Sequence, residues 1–343
     1  MPEQSKRILH PPIARNASGV VRRVGVEIEF AGLSPERAAK LVREHFGGDM
    51  EPGDTEFMFT VAGTRWGEFR IELDTRFVHP EKNLGDVLEE SALPVSEESV
   101  QVGHALDSHV REWVGKISAG IVPTEIVSPP IPWNELDALT PLIEGLRACG
   151  AKGTDEGLAY SFGVHLNPEV AKQEVAYLLA ILRAYVLLSD WLRGQIQVNP
   201  TRKILPHIDP FPKDFATLIL GADYAPDLET LVHDYFTMNP TRNRELDMLP
   251  VFKHLAPNIL AKLTDDERIK ARPTFHYRLP DASLSDADWC VVAEWNRWVV
   301  VERLAADEQN LRRLAENYLV HASTPVVERL KEVSQWLESL TNP

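Results

Sequence analysis

Residues 24–31, Val-Gly-Val-Glu-Ile-Glu-Phe-Ala, place two carboxylates at i and i+2 with apolar residues between and around them. Side chains alternate faces along a strand, so Glu27 and Glu29 share one face while Val26, Ile28 and Phe30 share the other. The segment therefore fits a strand that buries one face and carries two like charges on the opposite one. Such a pair is unfavourable unless water solvates it or a cation lies between the carboxylates.

Further strands repeat the pattern. In 65–74, Arg-Trp-Gly-Glu-Phe-Arg-Ile-Glu-Leu-Asp, alternation puts Glu68, Arg70, Glu72 and Asp74 on one face. Segment 121–127 holds Glu125 in an apolar setting and ends at Ser128-Pro129-Pro130. Segment 160–167 brings His165 and Asn167 to a common face, and 273–280 does the same for His276 and Arg278. Carboxylates with an occasional imidazole suit Mg²⁺ or Mn²⁺, and arginine suits phosphate.

Each candidate also has a structural reading. Glu72 and Asp74 can pair with Arg70 and Arg76, His165 can be a hydrogen-bonded core histidine, and Arg278 can form a salt bridge to the sheet carboxylates. The Asn-Pro-Thr-Arg segments at 199–203 and 239–244 carry Arg202, Lys203, Arg242 and Arg244, where loop arginines serve ligands or simply face water. His104 and His109 are five apart, the wrong helical spacing for shared ligation. Trp289, Trp295 and Trp298 fit helix packing. No Walker A loop, GxGxxG, HExxH or GxSxG occurs, which removes the commoner NTPase, dehydrogenase, zinc-protease and serine-hydrolase readings.

Composition narrows the class. The 343 residues are 44% hydrophobic and 25% charged, as in an ordinary globular protein with a substantial core. A net charge of −15 and the lack of a basic stripe argue against nucleic-acid binding, while arginines gathered in a cleft still allow an anionic substrate. Cys149 and Cys290, without a CxxC, give neither a disulfide framework nor a thiolate zinc site. The N-terminus lacks a signal-peptide pattern, and the apolar run 175–188 is interrupted by Arg183 and too short to span a bilayer. The expectation is a cytoplasmic protein with no membrane partner, its oligomeric state open.

The chain divides into a polar arm over 1–21, a main domain over 22–320 and a C-terminal helix over 321–343. Ser34-Pro35 starts a helix that runs towards Gly47-Gly48. Strands at 57–62 and 65–74 form a hairpin through Gly63-Thr64. Helices are expected over 97–116, 134–149, 168–196, 285–304 and 307–340. The Pro-, Asp- and Arg-rich stretch 197–270 reads as an irregular, helical elaboration that can act as a lid. Alternation in nearly every strand favours an α+β fold: an open-faced antiparallel sheet of about six strands surrounded by helices.

In this order the motifs resemble the bacterial putative amidoligase family, within the glutamine synthetase and glutamate–cysteine ligase superfamily of carboxylate–amine ligases. The resemblance rests on Val-Gly-Val-Glu-Ile-Glu-Phe, Ile-Glu-Leu-Asp, Thr-Glu-Ile-Val-Ser-Pro-Pro and Phe-Gly-Val-His-Leu-Asn. Residues 272–281, Arg-Pro-Thr-Phe-His-Tyr-Arg-Leu-Pro-Asp, are similar to the Arg-x-Glu-x-Arg-x-Pro-Asp segment of glutamine synthetases. It implies a curved antiparallel sheet whose concave face holds ATP and several Mg²⁺ or Mn²⁺ ions. By position it implies Glu27, Glu29 and Glu125 as metal ligands, with Glu72 and Asp74 as further candidates. His165 falls where the family has a histidine contacting metal or phosphate, and Arg278 where an arginine stabilises the transferring phosphoryl group. Arg202, Lys203, Arg244 and Arg272 are the candidates for holding the nucleotide. At 276 the relatives usually carry a metal-binding glutamate and this chain carries histidine, a further candidate metal ligand that removes a negative charge. The resemblance thus implies a metal site there that is weaker, absent or more tolerant of Mn²⁺.

The resemblance implies an ATP-dependent ligase that activates a small-molecule or peptide carboxylate as an acyl phosphate and joins it to an amine. Two other readings stay open: a metal-dependent phosphohydrolase, and a non-catalytic nucleotide- or metal-binding protein on a degenerate ligase fold.

Overall fold

A computed structural model describes residues 7–55, 57–73, 123–154, 162–196, 208–321 and 326–341. Asp74, Arg202, Lys203 and the helix expected over 97–116 with His104 and His109 lie outside the described residues.

The polar-and-apolar alternation of Arg23–Phe30 (β1) does what its sequence dictates. Val24, Val26, Ile28 and Phe30 are buried in the core, and Gly25, Glu27 and Glu29 take the other face. Around β1 the strands are Asp49–Pro52 (β2), Met58–Thr64 (β3), Gly67–Leu73 (β4), Thr124–Val127 (β5), Ile131–Pro132 (β6), Val164–Pro168 (β7), Leu246–Asp247 (β8) and His276–Tyr277 (β9). Every pairing is antiparallel, in the order β2-β3-β4-β5-β1-β7-β9-β8, with β6 added beside β1. The antiparallel, open-faced sheet is as expected. The strand number is not: among the described residues the sheet has nine strands, not about six. β2, β6 and β8 are two to four residues long, too short for a period-two pattern to stand out.

Pro35–Phe46 (α1) follows the expected signals. The Ser34 hydroxyl accepts from the Arg37 N–H, Pro35 occupies the first turn, and Ala38, Ala39, Leu41 and Val42 are buried. The β3–β4 turn falls at Arg65-Trp66, beyond the expected Gly63-Thr64. The register shifts between Val61 and Thr64, which carries β3 past Gly63, and Gly67 closes the turn at φ +127°, a value side-chain-bearing residues avoid.

The helix expected over 134–149 is a 3₁₀ segment, Trp133–Leu139, followed by Thr140–Ala148 (α2). Val175–Ile196 (α3) starts later than the expected 168, because Pro168 ends β7. Among the described residues α3 is long and apolar enough to cross a membrane by length and composition, and much of its surface is buried in the fold. Leu178, Leu182, Tyr185 and Leu192 are enclosed on it, against a helix at Val291–Ala306. That helix (α8) follows four in the 208–270 region: Lys213–Leu220 (α4), Leu228–Met238 (α5), Leu249–Leu255 (α6) and Pro257–Leu260 (α7). The chain then continues through Glu308–Val320 (α9) and Val326–Thr341 (α10), two helices in place of the expected single one.

Arg22 ties these parts together from a buried position. Its guanidinium donates to both carboxylate oxygens of Glu302 on α8 (2.8 and 2.5 Å), to the Ile13 carbonyl and to the Glu169 carbonyl. Trp298 Nε1 donates to Glu302 as well, at 2.7 Å. A buried charge needs such complete pairing, and here the pairing fastens residues 7–21 and the start of β1 to α8.

Candidate active site on the open face of the sheet

Strand register assembles the site. Glu29 lies opposite Glu125, and Glu125 opposite Glu72, so three carboxylates stand in one row across β1, β5 and β4. In the next row Glu27 lies between Val127 and His165. Leu166 pairs with Tyr277 and Glu169 bridges Thr274, a register that sets His165 beside Arg278 and Asn167 beside His276 on the opposite face. His276 in turn pairs with Asp247 on β8. Glu27, Glu29, Glu125, His165, Asn167, Asp247, His276 and Arg278 are all buried.

The Ser128-Pro129-Pro130 break shapes one edge. Neither proline can donate to a ladder, so β5 stops pairing with β1 there. Ser128 fills the gap: its N–H donates to the Val26 carbonyl (2.8 Å), and its hydroxyl accepts from the Val26 N–H (2.9 Å). Beside this break a cleft of about 420 Å³ opens over Gly25, which has no side chain to fill it. Arg23, Arg70 and Arg272 surround the cleft, with Glu27, Asn167 and Thr274 also on its walls.

Hydrogen bonds fix the protonation pattern. Glu27 accepts from Asn167 Nδ2 on Oε1 and faces His165 Nδ1 across 3.0 Å on Oε2. A carboxylate at that distance places the imidazole proton on Nδ1. The His165 Nε2 lone pair then points towards Glu29 Oε1, 3.7 Å away, while Glu29 Oε2 accepts from the Gly163 N–H at 2.8 Å. Burial pushes the His165 pKa down to about 4, with the Arg278 charge adding to it and Glu29 and Glu27 opposing it. Burial, with Arg278 again helping, also lowers that of His276. At neutral pH both rings are neutral and can offer lone pairs.

This depression predicts an acid-sensitive fold. In the unfolded chain His165 takes its proton near pH 6.5, whereas in the folded, metal-free chain it resists until about pH 4. The unfolded state therefore binds more protons in that window, and stability falls as pH drops from about 6.5 to 4, by roughly 3 kcal/mol for this group. Urea melts of metal-free protein across this range measure the slope, and His165→Asn is expected to flatten it.

Among the described residues two sets of three donors have ligand atoms within 4.8 Å of one another: Glu27, His165 and His276, and Glu29, Glu125 and His165. The donor chemistry fits a divalent ion. His276 Nε2 is buried with no hydrogen-bond partner. A cation at this point would give that lone pair a partner.

The remaining candidates divide. Arg272 reaches the site, with Nη1 3.6 Å from Glu27 Oε1. Glu72 stands in the carboxylate row, yet its Oε1 accepts from Arg70 Nε at 3.1 Å, the pairing that alternation had left open. Arg244 donates to the Pro210 carbonyl at 2.8 Å, which fastens the start of the 208–270 region. Sequence reasoning passed over Asp247, although Glu245 and Asp247 repeat the i, i+2 spacing of Glu27 and Glu29. Asn167 was placed on the right face without a role; it is a direct partner of Glu27.

A family model described as "putative amidoligase enzyme" matches residues 21–300, which span every residue of the two donor sets. The chain belongs to the putative amidoligase family. The name implies an enzyme of the ligase type. No curated protein and no solved structure matches this amidoligase-family chain.

Proposed function

We propose that this chain is an ATP-dependent carboxylate–amine ligase that makes an amide or peptide-like bond through an acyl phosphate. The observation that carries the reading is the pair of buried donor sets sharing His165 on the open sheet face, in a chain of the amidoligase family. Glu27, His165 and His276 would hold one divalent ion and Glu29 with Glu125 another, since the neutral His165 ring has a single lone pair and serves one ion at a time. Bound there, such ions supply positive charge against the phosphate oxygens of ATP.

The chain's own side chains do the rest. Arg278, buried beside both imidazoles, stabilises charge on the transferring phosphoryl group. Arg23, Arg70 and Arg272 draw an anionic substrate into the cleft over Gly25. A carboxylate oxygen attacks the γ-phosphorus and ADP leaves; the amine then attacks the acyl carbon, phosphate leaves, and the nitrogen gives up a proton. Water must be kept from the acyl phosphate, a role that suits 197–270 as a lid.

Purified protein given ATP, Mg²⁺ or Mn²⁺ and pools of amino acids and polyamines is expected to release ADP only when both an acid and an amine are present. Mass spectrometry should find the acid plus the amine less one water. Phosphate release without an amine would make the protein a phosphohydrolase, and nucleotide binding without turnover a non-catalytic member of the family.

A further inference from the structure

The two donor sets differ in kind. Glu29, Glu125 and His165 offer two carboxylates and one imidazole, whereas Glu27, His165 and His276 offer one carboxylate and two imidazoles. In the second set the rings of His165 and His276 stand edge to face, with centroids 5.2 Å apart and planes at 79°.

Behind His276 lies Asp247, fully buried. Its Oδ1 accepts from the Leu249 N–H at 2.9 Å, which fixes the carboxylate plane. Its Oδ2 has no hydrogen-bond partner and lies 3.5 Å from His276 Nδ1, a long contact that still favours the ring proton on Nδ1. The lone pair is thereby left on Nε2, which is itself buried, without a hydrogen-bond partner, and 3.9 Å from Glu27 Oε2. Two ligands about 2.1 Å from one tetrahedral ion are roughly 3.4 Å apart, so a small closure of this gap suffices. A carboxylate behind an imidazole that faces an ion site is the usual way a metal-binding histidine is oriented.

We propose that Glu27, His165 and His276 form a nitrogen-rich site for a transition-metal ion of the zinc, cobalt or iron class in preference to Mg²⁺, with Asp247 as the positioning residue for His276. This rests on the ion-binding part of the proposed function and assigns the kind of ion. Mg²⁺ demands oxygen ligands and keeps its waters, while imidazole suits the later first-row ions. Histidine at 276 thus makes the two ends of the face selective for different metals, the oxygen-rich Glu29–Glu125 end remaining the place for Mg²⁺.

The test titrates metal-free full-length protein, without nucleotide, with Co²⁺, Zn²⁺ and Mg²⁺ separately by calorimetry, and follows the visible absorption of Co²⁺. The parent chain should bind Co²⁺ with the absorption of nitrogen ligation. His276→Glu should lower Co²⁺ affinity at least 10-fold and raise Mg²⁺ affinity at this end. Asp247→Asn keeps the acceptor for Leu249 and should cost Co²⁺ about 10- to 100-fold while leaving Mg²⁺ binding unchanged. Circular dichroism checks the fold of each variant, and His276→Gln decides the matter if Asp247→Asn misfolds. Co²⁺ and Zn²⁺ affinities that ignore every change at His276 would overturn the proposal. If Mg²⁺ binding that depends on Glu29 and Glu125 survives in that case, only this inference fails. If no divalent ion binds at all, the ion-binding part of the ligase reading fails with it.

Discussion

Glu27→Gln is expected to cut amine-dependent ADP release by about 10³-fold or more while leaving the metal-free protein at least as stable as the parent. The substitution removes a charge from a buried face on which Glu29 and Glu125 also lie, so self-repulsion falls. The hydrogen bonds can be remade. The amide oxygen still accepts from Asn167 Nδ2, and the new amide N–H₂ can donate to His165 Nδ1 if the ring proton moves to Nε2. That tautomer then points its N–H towards Glu29 Oε1, now 3.7 Å away. One substitution thus takes the carboxylate from the Glu27–His165–His276 set and covers the one lone pair that His165 offers to either set. Without an ion to offset phosphate charge, transition-state stabilisation worth several kcal/mol is lost. Thermal melts give an independent readout. Mg²⁺-ATP should raise the melting temperature of the parent by binding the native state, and should leave that of the variant unmoved. A variant that melts far below the parent without metal would assign Glu27 to the structure of the sheet and not to ion binding.

What the sequence disclosed depends on how far each residue's partners lie along the chain. β1, β4, β5 and β7 were readable because alternation needs only neighbours: Ile28, Ile71, Ile126 and Leu166 mark the core face, and Glu27, Glu72, Glu125 and His165 follow on the other. β2, β6 and β8 carry no comparable run, and they exist because a longer strand already offers its edge. Asp247 shows the cost. Within Glu245-Leu246-Asp247-Met248-Leu249-Pro250 it resembles a helix approach, and only the pairing of β8 with β9 turns it towards His276. Glu245, two residues away, goes elsewhere, buried against Ser189 and Arg193 of α3, so the shared spacing alone would have misassigned it. Ser128 is similar: its proline neighbours announce the end of β5, but its service to Val26 depends on a contact 102 residues away. The i, i+2 pairing of Arg70 with Glu72 is legible as an alternative, and in the fold Glu72 Oε1 accepts from Arg70 Nε.

Arg278→Lys should lower turnover on the order of 10³-fold while ATP affinity changes by less than about 10-fold. Arg278 is buried on β9's flank with its backbone N–H donated to the Glu245 carbonyl, so its direction is set by the main chain as well as by packing. The β7–β9 register sets it beside His165, and its charge helps to lower the pKa of both His165 and His276. Lysine keeps that charge, so the electrostatic setting of the two imidazoles, and with it ion binding, should change little. What lysine lacks is the planar fork of donors that can follow a phosphoryl group as its oxygens spread in the transition state. An interaction made mainly there shows in turnover and hardly in ground-state affinity. If Arg278 instead serves only to neutralise Glu29 and Glu125, a lysine ammonium can do the same, and the variant should retain most of its activity with an altered metal requirement. Turnover and nucleotide affinity measured on that one variant separate the two roles. The larger loss is expected in turnover, because Arg278 is buried on the same sheet face as His165 and His276, where the phosphoryl group would lie.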